Sequence, residues 1–171
     1  MSAKRHLCCL ATLLLCTFAG AQEGALAKVE ALLEDSRISF NYSYEVLEGL
    51  PVKGSGAAVL QGNCYVLTEG TAGVFCNGTD RWTVDTASKE VYIEAAGGEN
   101  DIFGNVSTIL RKFEGLRFDG KTLSGKATLP DGRRIACTAT LLKRTPESAD
   151  GSFFVYDTSR LDSSWVITDL R

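Results

Sequence analysis

The segment from Ile38 to Val46 alternates apolar and polar residues without a break, and this pattern constrains the fold more than any other. Ile38, Phe40, Tyr42, Tyr44 and Val46 fall on one face of an extended strand, while Ser, Asn and Glu side chains fall on the other. Strict alternation over this length is typical of a sheet with one dry face and one solvated face. The sequence therefore predicts a large antiparallel sheet.

A second block, residues 73–94, indicates three short antiparallel strands joined by two tight turns. Asn77-Gly78 can supply the positive φ angles that a sharp hairpin turn requires. The apolar positions of this block alternate with polar ones and are Trp82, Val84, Val91 and Ile93. They predict an apolar wall, and no residue in the block is a convincing catalyst.

Two segments have helical periodicity instead, and the rest of the chain indicates further strands. Ala25 to Asp35 predicts one amphipathic helix, and a short apolar helix is predicted after residue 101, ending near Gly115. Further strands are predicted at 54–60, 64–68, 122–129, 134–142, 152–156 and 165–170, with a hairpin turn at Pro130-Asp131-Gly132. The expected fold class is α+β: a large curved antiparallel sheet, shaped as an incomplete half-barrel, with helices covering its concave apolar face.

The N-terminus has the features of a secretory signal peptide. Lys4 and Arg5 precede an apolar run, and Ala19-Gly20-Ala21 offers small residues at the cleavage positions. The apolar run is shorter than the roughly 20 residues that a membrane-spanning helix requires. We expect cleavage near Ala21, which leaves residues 22–171 as a single secreted domain.

Charge and composition argue against several classes of function. The formal charge of −3 becomes −5 once Lys4 and Arg5 are removed, which indicates affinity neither for nucleic acid nor for an anionic membrane. The single histidine, His6, lies in the signal peptide, so catalytic systems and metal sites that depend on imidazole are excluded from the mature chain. We expect a protein that is not an enzyme and that uses no metal and no cofactor.

The mature chain has three cysteines, Cys64, Cys76 and Cys137, and none belongs to a Cys-x-x-Cys motif. Cys64 and Cys76 are equidistant from Gly70. A hairpin that turns at Gly70 would bring them face to face, and they could then form a disulfide in an oxidising compartment. The alternative is that all three are small buried apolar residues, and the sequence leaves both interpretations open.

Two motifs resemble a known family. Asn77-Gly78, Trp82 and Glu90-Val-Tyr-Ile93 resemble the "Asp-Gly-Lys-x-x-Trp … Glu-Val-x-Ile" segment of periplasmic lipoprotein carriers of the LolA type. The tail Phe154-Val-Tyr-Asp157 … Trp165-Val-Ile-Thr-Asp-Leu-Arg171 resembles the "Phe-x-Phe … Val-Ile-Asp-Leu-Arg" ending of the branch found in Bacteroides-type bacteria. The early-strand arginine of that family has no counterpart in the matching stretch, residues 60–63.

The resemblance implies a fold and a role. It implies a half-barrel with a helical lid, whose apolar cavity holds the acyl chains of lipoproteins. It also implies a monomeric periplasmic chaperone that takes acylated lipoproteins from an inner-membrane release complex and passes them to an outer-membrane acceptor. The residues expected to line the cavity are Phe40, Tyr42, Tyr44, Tyr65, Leu67, Trp82, Val84, Val91, Ile93, Ile109, Leu110 and Phe113.

Two alternatives to a lipoprotein carrier stay open at this point. The same cavity would serve a carrier or sensor of another amphiphile, such as a fatty acid or glycolipid. A protein whose sheet face is sealed as core would act instead as a cell-envelope interaction protein. The faces of the strands depend on their registers, because a slip of one residue inverts every assignment.

Overall fold

The computed structural model describes residues 22–49, 52–97, 106–129 and 132–171. The predicted signal peptide, residues 1–21, lies outside these ranges. So do the start of the second predicted helix and the Pro130-Asp131 part of the predicted hairpin turn. No helix in the described ranges is long and apolar enough to cross a bilayer.

The described chain forms two α-helices, two short 3₁₀ helices and ten strands. Helix α1 covers residues 22–33, helix α2 is Val106–Arg111, and the 3₁₀ helices are Ser152–Phe154 and Thr158–Arg160. The strands are β1 (Ser36–Val46), β2 (Lys53–Gln61), β3 (Cys64–Glu69), β4 (Ala72–Cys76), β5 (Asp80–Asp85), β6 (Glu90–Ala95), β7 (Glu114–Phe118), β8 (Thr122–Thr128), β9 (Arg134–Pro146) and β10 (Val166–Asp169).

All ten strands belong to one open sheet in the order β10-β6-β5-β4-β3-β2-β1-β9-β8-β7. The α+β class predicted from the sequence is confirmed. The sheet is mixed, however, because β10 pairs with β6 in parallel while the other pairs are antiparallel. The chain crosses from one part of the sheet to its β6 edge between Glu147 and Trp165, which requires a long connection over one face.

The register defines the two faces of the sheet. Ile38 pairs with Leu60, Leu60 with Tyr65, and Tyr65 with Cys76, so these four side chains share one face. Leu33 of α1 and Val106 of α2 pack against them, and we call this side the helix face. We call the opposite side the tail face, because the C-terminal segment covers part of it.

The buried side of the sheet changes along the strand order. On β7, β8, β9, β1 and β2 the apolar side chains point to the helix face, where α1 and α2 pack. On β5 and β6 they point to the tail face, where Tyr156, Leu161 and Trp165 cover them. Strand β3 lies at the changeover and is buried on both faces, through Tyr65 on one side and Val66 on the other.

A polar cluster attaches the C-terminal segment to the tail face. The guanidinium of Arg37 donates to Gln61 Oε1 at 2.8 Å, and Gln61 Nε2 donates to the carbonyl of Ser148 at 2.7 Å. The Ser148 amide donates back to Gln61 Oε1 at 3.2 Å. Gln61 is buried, so these bonds satisfy an amide that would otherwise be costly inside the protein.

The same arginine supports the aromatic residues of the first 3₁₀ helix. The Arg37 guanidinium lies 5.3 Å from the ring centre of Phe153 and 5.1 Å from that of Phe154. Phe154 is fully buried, whereas Phe153 is about half exposed. The prediction of a strand at 152–156 is therefore wrong. Side chains of β1 and β2 hold the chain through the carbonyls of Ser148 and Asp150, and it does not pair with a neighbouring strand there.

A β-bulge in β9 changes which residues face the helices. Ser39 pairs with Lys143 but Phe40 pairs with Leu141, so Leu142 is the extra residue. Arg144 is thereby turned to the helix face. Its guanidinium donates to Ser36 Oγ at 2.8 Å and to the Ala31 carbonyl at 3.3 Å, at the C-terminal end of α1.

The second predicted helix ends earlier than the sequence pattern indicated. Helix α2 stops at Arg111, and strand β7 already begins at Glu114. Gly115 has a φ of +62°, which helical residues do not adopt, so the chain leaves the helix before the predicted end. The strand β7 itself was not predicted.

We expect truncation of Phe154 to destabilise the fold strongly. Phe154→Ala removes a fully buried ring and should lower the free energy of unfolding by about 3–5 kcal/mol. Phe153→Ala is the matched control, since it removes the neighbouring ring from the same arginine but from a half-exposed position. Its cost should be about 1 kcal/mol or less. Urea unfolding of both variants checks this, and equal losses would contradict the placement of the two rings.

Candidate functional site

The helix face carries an apolar surface that is only partly covered. Around buried Ile38, Leu60, Tyr65 and Cys76 lies a ring of half-buried apolar side chains. We call the half-buried residues of the strands the floor, and they are Phe40, Leu67, Val74 and Leu141. These side chains are neither sealed nor fully solvated, so the floor presents partly exposed apolar surface.

The two helices cover the neighbouring part of the helix face. Ala25, Leu26 and Val29 of α1 form a core cluster with Leu110 of α2 and Leu116 of β7. Two polar contacts hold α1 in place: Glu30 pairs with Arg111 of α2 at 3.1 Å, and Gln22 Nε2 donates to the carbonyl of Phe113, just after α2, at 2.7 Å. The helices therefore pack most closely over β7 and β8, beside the floor.

Two tyrosines border the floor at one end and lie flat on the sheet. The Tyr44 hydroxyl donates to Glu69 Oε1 at 3.1 Å, and the Tyr42 hydroxyl donates to the Thr68 carbonyl at 3.3 Å. To reach the end of β3, both rings cross β2 over Gly54 and Gly56, where a Cβ atom would collide with them. This explains why β2 has glycines opposite the two tyrosines.

Both tyrosines stay protonated over the physiological range. Burial is the main cause that raises the pKa of Tyr42 and of Tyr44, and the Glu69 carboxylate raises both further. Neutral hydroxyls that donate to Glu69 and Thr68 give the floor a polar margin without adding charge from the tyrosines.

The floor ends at a charged pair on the other side. Arg81 on β5 and Glu94 on β6 form a salt bridge of 2.6 Å on the helix face, and the Arg81 side chain is only 14% exposed. The hydrogen bond to Glu94 is the main cause that raises the pKa of Arg81. The helix face of β5 and β6 is therefore polar, and the apolar floor is confined to β1, β3, β4 and β9.

Of the twelve side chains predicted to line one cavity, five lie on strands and point to the helix face of the sheet. Leu67 and Phe40 belong to the floor, and Tyr65 is buried beneath it. Tyr42 and Tyr44 form the polar margin. Of the three predicted residues at the second helix, Leu110 is buried against α1, while Ile109 and Phe113 are half-buried.

The other four predicted residues lie on the opposite face. Trp82, Val84, Val91 and Ile93 form a buried cluster on the tail face, packed against Leu161, Tyr156 and Trp165 of the C-terminal segment. Phe75 joins this cluster, with its ring centre 5.0 Å from that of Tyr156. The register puts these side chains on the reverse of the floor, so they form a separate core and do not share a cavity with Leu67.

Two residues of the floor, Val74 and Leu141, were absent from the predicted set. Leu141 belongs to an alternating series with Ile135, Cys137 and Ala139 on β9. That series was a usable signal, because its members recur at every second position of a predicted strand. Val74 lacked such a signal, since its strand is short and its neighbours Gly73 and Phe75 do not form a polar face.

An open cleft of about 440 Å³ lies at a different place, between α1 and the turn from β7 to β8. Lys28 and Leu32 line it on the helix side, while Phe118, Asp119 and Gly120 line it on the turn side. Arg144 also borders the cleft but is already bonded to Ser36 and Ala31. The cleft is shallow and mixed in character, and no sequence pattern predicted it.

The cysteines do not form the disulfide that the sequence left open. The hairpin does turn at Gly70, but Cys76 pairs with Tyr65, so Cys64 is displaced by one residue. Its side chain consequently points to the opposite face from that of Cys76. All three cysteines of the described chain are free thiols.

Among the described residues no group of three or more histidine, cysteine, aspartate and glutamate side chains is arranged to hold a metal ion. The helix face combines a buried apolar centre with the half-buried floor around it. The molecule is an open mixed sheet with one sealed core on the tail face and one partly covered core on the helix face.

No protein-family model matches the chain, and no curated protein matches it. Among solved structures, an uncharacterized conserved protein from Thermus thermophilus aligns with 86% of this chain and 98% of its own chain. The identity is 7% and the TM-score is 0.45, which is too distant to carry an argument about function.

The free thiols lead to a direct prediction. Alkylation of residues 22–171 in denaturant, without reductant, should add three alkyl groups by mass. In the folded protein at neutral pH the reaction should be slow and should accelerate as the pH rises, because burial raises the pKa of Cys64 and of Cys137. Addition of a single group in denaturant would instead indicate a disulfide between two of the three.

Proposed function

We propose that this chain is a periplasmic carrier that binds the acyl chains of lipoproteins against the floor of the helix face. The observation that supports the proposal is the half-buried state of Phe40, Leu67, Val74 and Leu141 beside helices that pack mainly elsewhere. On the tail face the strand residues Trp82, Val84, Val91 and Ile93 are buried beneath the C-terminal segment, whereas the strand residues of the floor are half-buried.

The energetics of acyl binding suit such a floor. Each methylene moved out of water gains about 0.8 kcal/mol, so about ten methylenes of one chain gain roughly 8 kcal/mol before the costs of association. A groove that covers only part of a chain can therefore hold it without any polar contact. The polar margins at Glu69 and at the Arg81–Glu94 pair would confine the chain to the floor.

The rest of the proposal follows from the resemblance in the sequence. Cleavage near Ala21 would release residues 22–171 into the periplasm. The carrier would take acylated lipoproteins from an inner-membrane release complex and pass them to an outer-membrane acceptor. It would act without covalent chemistry, since transfer needs only a change in how closely the helices cover the floor.

Native mass spectrometry tests the proposal on protein purified from a periplasmic extract of its own host. A bound acylated protein is the expected result and would identify the cargo. A bound free fatty acid or glycolipid would replace the proposal by a carrier of another amphiphile. An empty protein that also fails to bind a synthetic lipopeptide would indicate an envelope interaction protein with a sealed core.

A pair of adjacent substitutions tests the site itself. Leu67→Glu places a carboxylate on the floor and should weaken lipopeptide binding at least tenfold, about 1.4 kcal/mol, because burying an unpaired charge costs several kcal/mol. Thr68→Glu introduces the same charge one residue later, at an exposed position on the tail face. Its affinity should stay within about twofold of the parent protein.

Displacement of an apolar fluorescent probe by a diacylated lipopeptide measures both variants, with circular dichroism as the check on folding. Equal affinities for the two folded variants would mean that the acyl chain does not contact the helix face at Leu67. The proposal would then be wrong in its site, whichever ligand copurifies.

A further inference from the structure

The charges of this protein are unevenly distributed along the chain. Residues 106–146 contain nine lysines and arginines against three aspartates and glutamates. The rest of residues 22–171 contain seven basic residues and eighteen acidic ones. The net charge of −5 therefore combines a segment of +6 with a remainder of −11, and the sum conceals the basic segment.

The strand registers bring part of this basic segment onto one surface. Arg117 pairs with Ser124 and Ser124 with Thr138, while Lys126 pairs with Ala136. Lys143 pairs with Ser39 after the bulge, which puts it on the same side. We call the tail face of β7, β8 and β9 the basic surface, and its cationic residues are Arg117, Lys126, Arg134 and Lys143.

Three of these cations are exposed and have no anionic partner in the described chain. Arg134 pairs with Glu114 at 3.0 Å, but Arg117, Lys126 and Lys143 are in no ion pair among the described residues. The C-terminal segment leaves β9 at the end of β1 and β2, where Arg37 and Gln61 hold it, and then packs on the β5 and β6 side of the sheet, away from β7 and β8. Positive charge that is neither paired nor buried is available to a partner.

Most positions between the cations carry small polar side chains, and these are Asn41, Ser43, Thr122, Ser124, Thr138 and Thr140. Two carboxylates share this face, and each is in an ion pair: Glu45 with Lys53 and Glu114 with Arg134. Among the described residues of β7 to β9, the large apolar side chain at the border of this surface is Leu142 in the bulge, which is 60% exposed. Neighbouring strands are about 4.8 Å apart, so the four strands β7, β8, β9 and β1 span roughly 15–20 Å.

We propose that the basic surface docks this protein onto an anionic phospholipid bilayer. A specific protein partner would be expected to meet an apolar centre with a polar rim, and the basic surface lacks such a centre. Separate lysines and arginines spread over one face of neighbouring strands suit a layer of phosphate headgroups, where each cation contributes through the surface potential. The acidic remainder is repelled by the same membrane, so the charge separation also fixes the orientation.

The docking is independent of acyl binding, because the basic surface and the floor use opposite faces of the sheet. Its test uses residues 22–171 and vesicles, without any lipopeptide. Sedimentation with vesicles of phosphatidylethanolamine containing about 30% phosphatidylglycerol should pull down the protein at low ionic strength. Pure phosphatidylcholine vesicles should not, and added salt should release the protein because it screens exposed charges.

A triple variant tests the surface itself. Arg117→Gln, Lys126→Gln and Lys143→Gln together should weaken binding to the anionic vesicles by about a hundredfold, since each cation near the membrane contributes separately. The matched control is Lys28→Gln, Lys89→Gln and Arg160→Gln, which changes the net charge by the same amount away from the basic surface. The control should retain binding to within about threefold.

Each outcome of the vesicle experiments either supports or overturns docking through the basic surface. Selective loss of binding in the first variant, with salt-dependent binding of the parent protein, supports the proposal. Failure of the parent protein to sediment at low salt overturns it, as does an equal loss in both triple variants. Binding to polyglutamate or to duplex DNA without binding to vesicles also overturns it, in favour of an acidic protein or a nucleic acid. Thermal unfolding monitors all proteins, and the salt dependence of the parent protein is informative even if a variant unfolds.

Discussion

The fold depends on the buried hydrogen bonds of Gln61. They connect Arg37 of the first strand to the carbonyl of Ser148, where the chain leaves β9 and begins to cross the tail face. Without that crossing, the apolar side chains that β5 and β6 place on the tail face would be exposed to water, because Tyr156, Leu161 and Trp165 of the crossing segment cover them. A single buried amide thus helps to determine that the sheet has two cores on opposite faces, with β3 buried between them.

The two cores differ in a way that matters for a carrier. The tail core is closed by Trp165, Tyr156 and the fully buried Phe154, so it stabilises the sheet whatever happens on the other side. The helix core is closed over β7 and β8 and incompletely closed over the floor. Movement of α1 and α2 would therefore expose more of the floor while the tail core kept the strands in register. Local stability that varies across a structure in this way is what a binding protein needs.

The sequence predicted local structure well, but it did not predict which face of the sheet each side chain would occupy. The alternation from Ile38 to Val46 and the turn at Asn77-Gly78 predicted strands that the structure contains, because those signals are local. The grouping of Trp82 with Leu67 depended on strand registers, which a slip of one residue inverts and no local pattern fixes. The same limit applies to Cys64 and Cys76. They are equidistant from Gly70, but the hairpin register pairs Cys76 with Tyr65 instead of Cys64. The bulge at Leu142 and the 3₁₀ helix at Ser152–Phe154 occur beside tertiary contacts of Arg144 and Arg37, and local propensity does not predict such contacts.

The two proposed sites meet on strand β9, which carries Leu141 of the floor on the helix face and Lys143 of the basic surface on the tail face. A molecule docked through Arg117, Lys126 and Lys143 would hold the floor on the side away from the lipid. That arrangement protects an acyl-binding surface from simply partitioning into the bilayer, which offers a far larger apolar volume than a floor of four side chains. It also means that docking alone would not deliver cargo: an acyl chain would have to pass around the β7 edge or be taken up by a second protein on the helix side. Membrane contact would then set the orientation in which such a partner meets the helices.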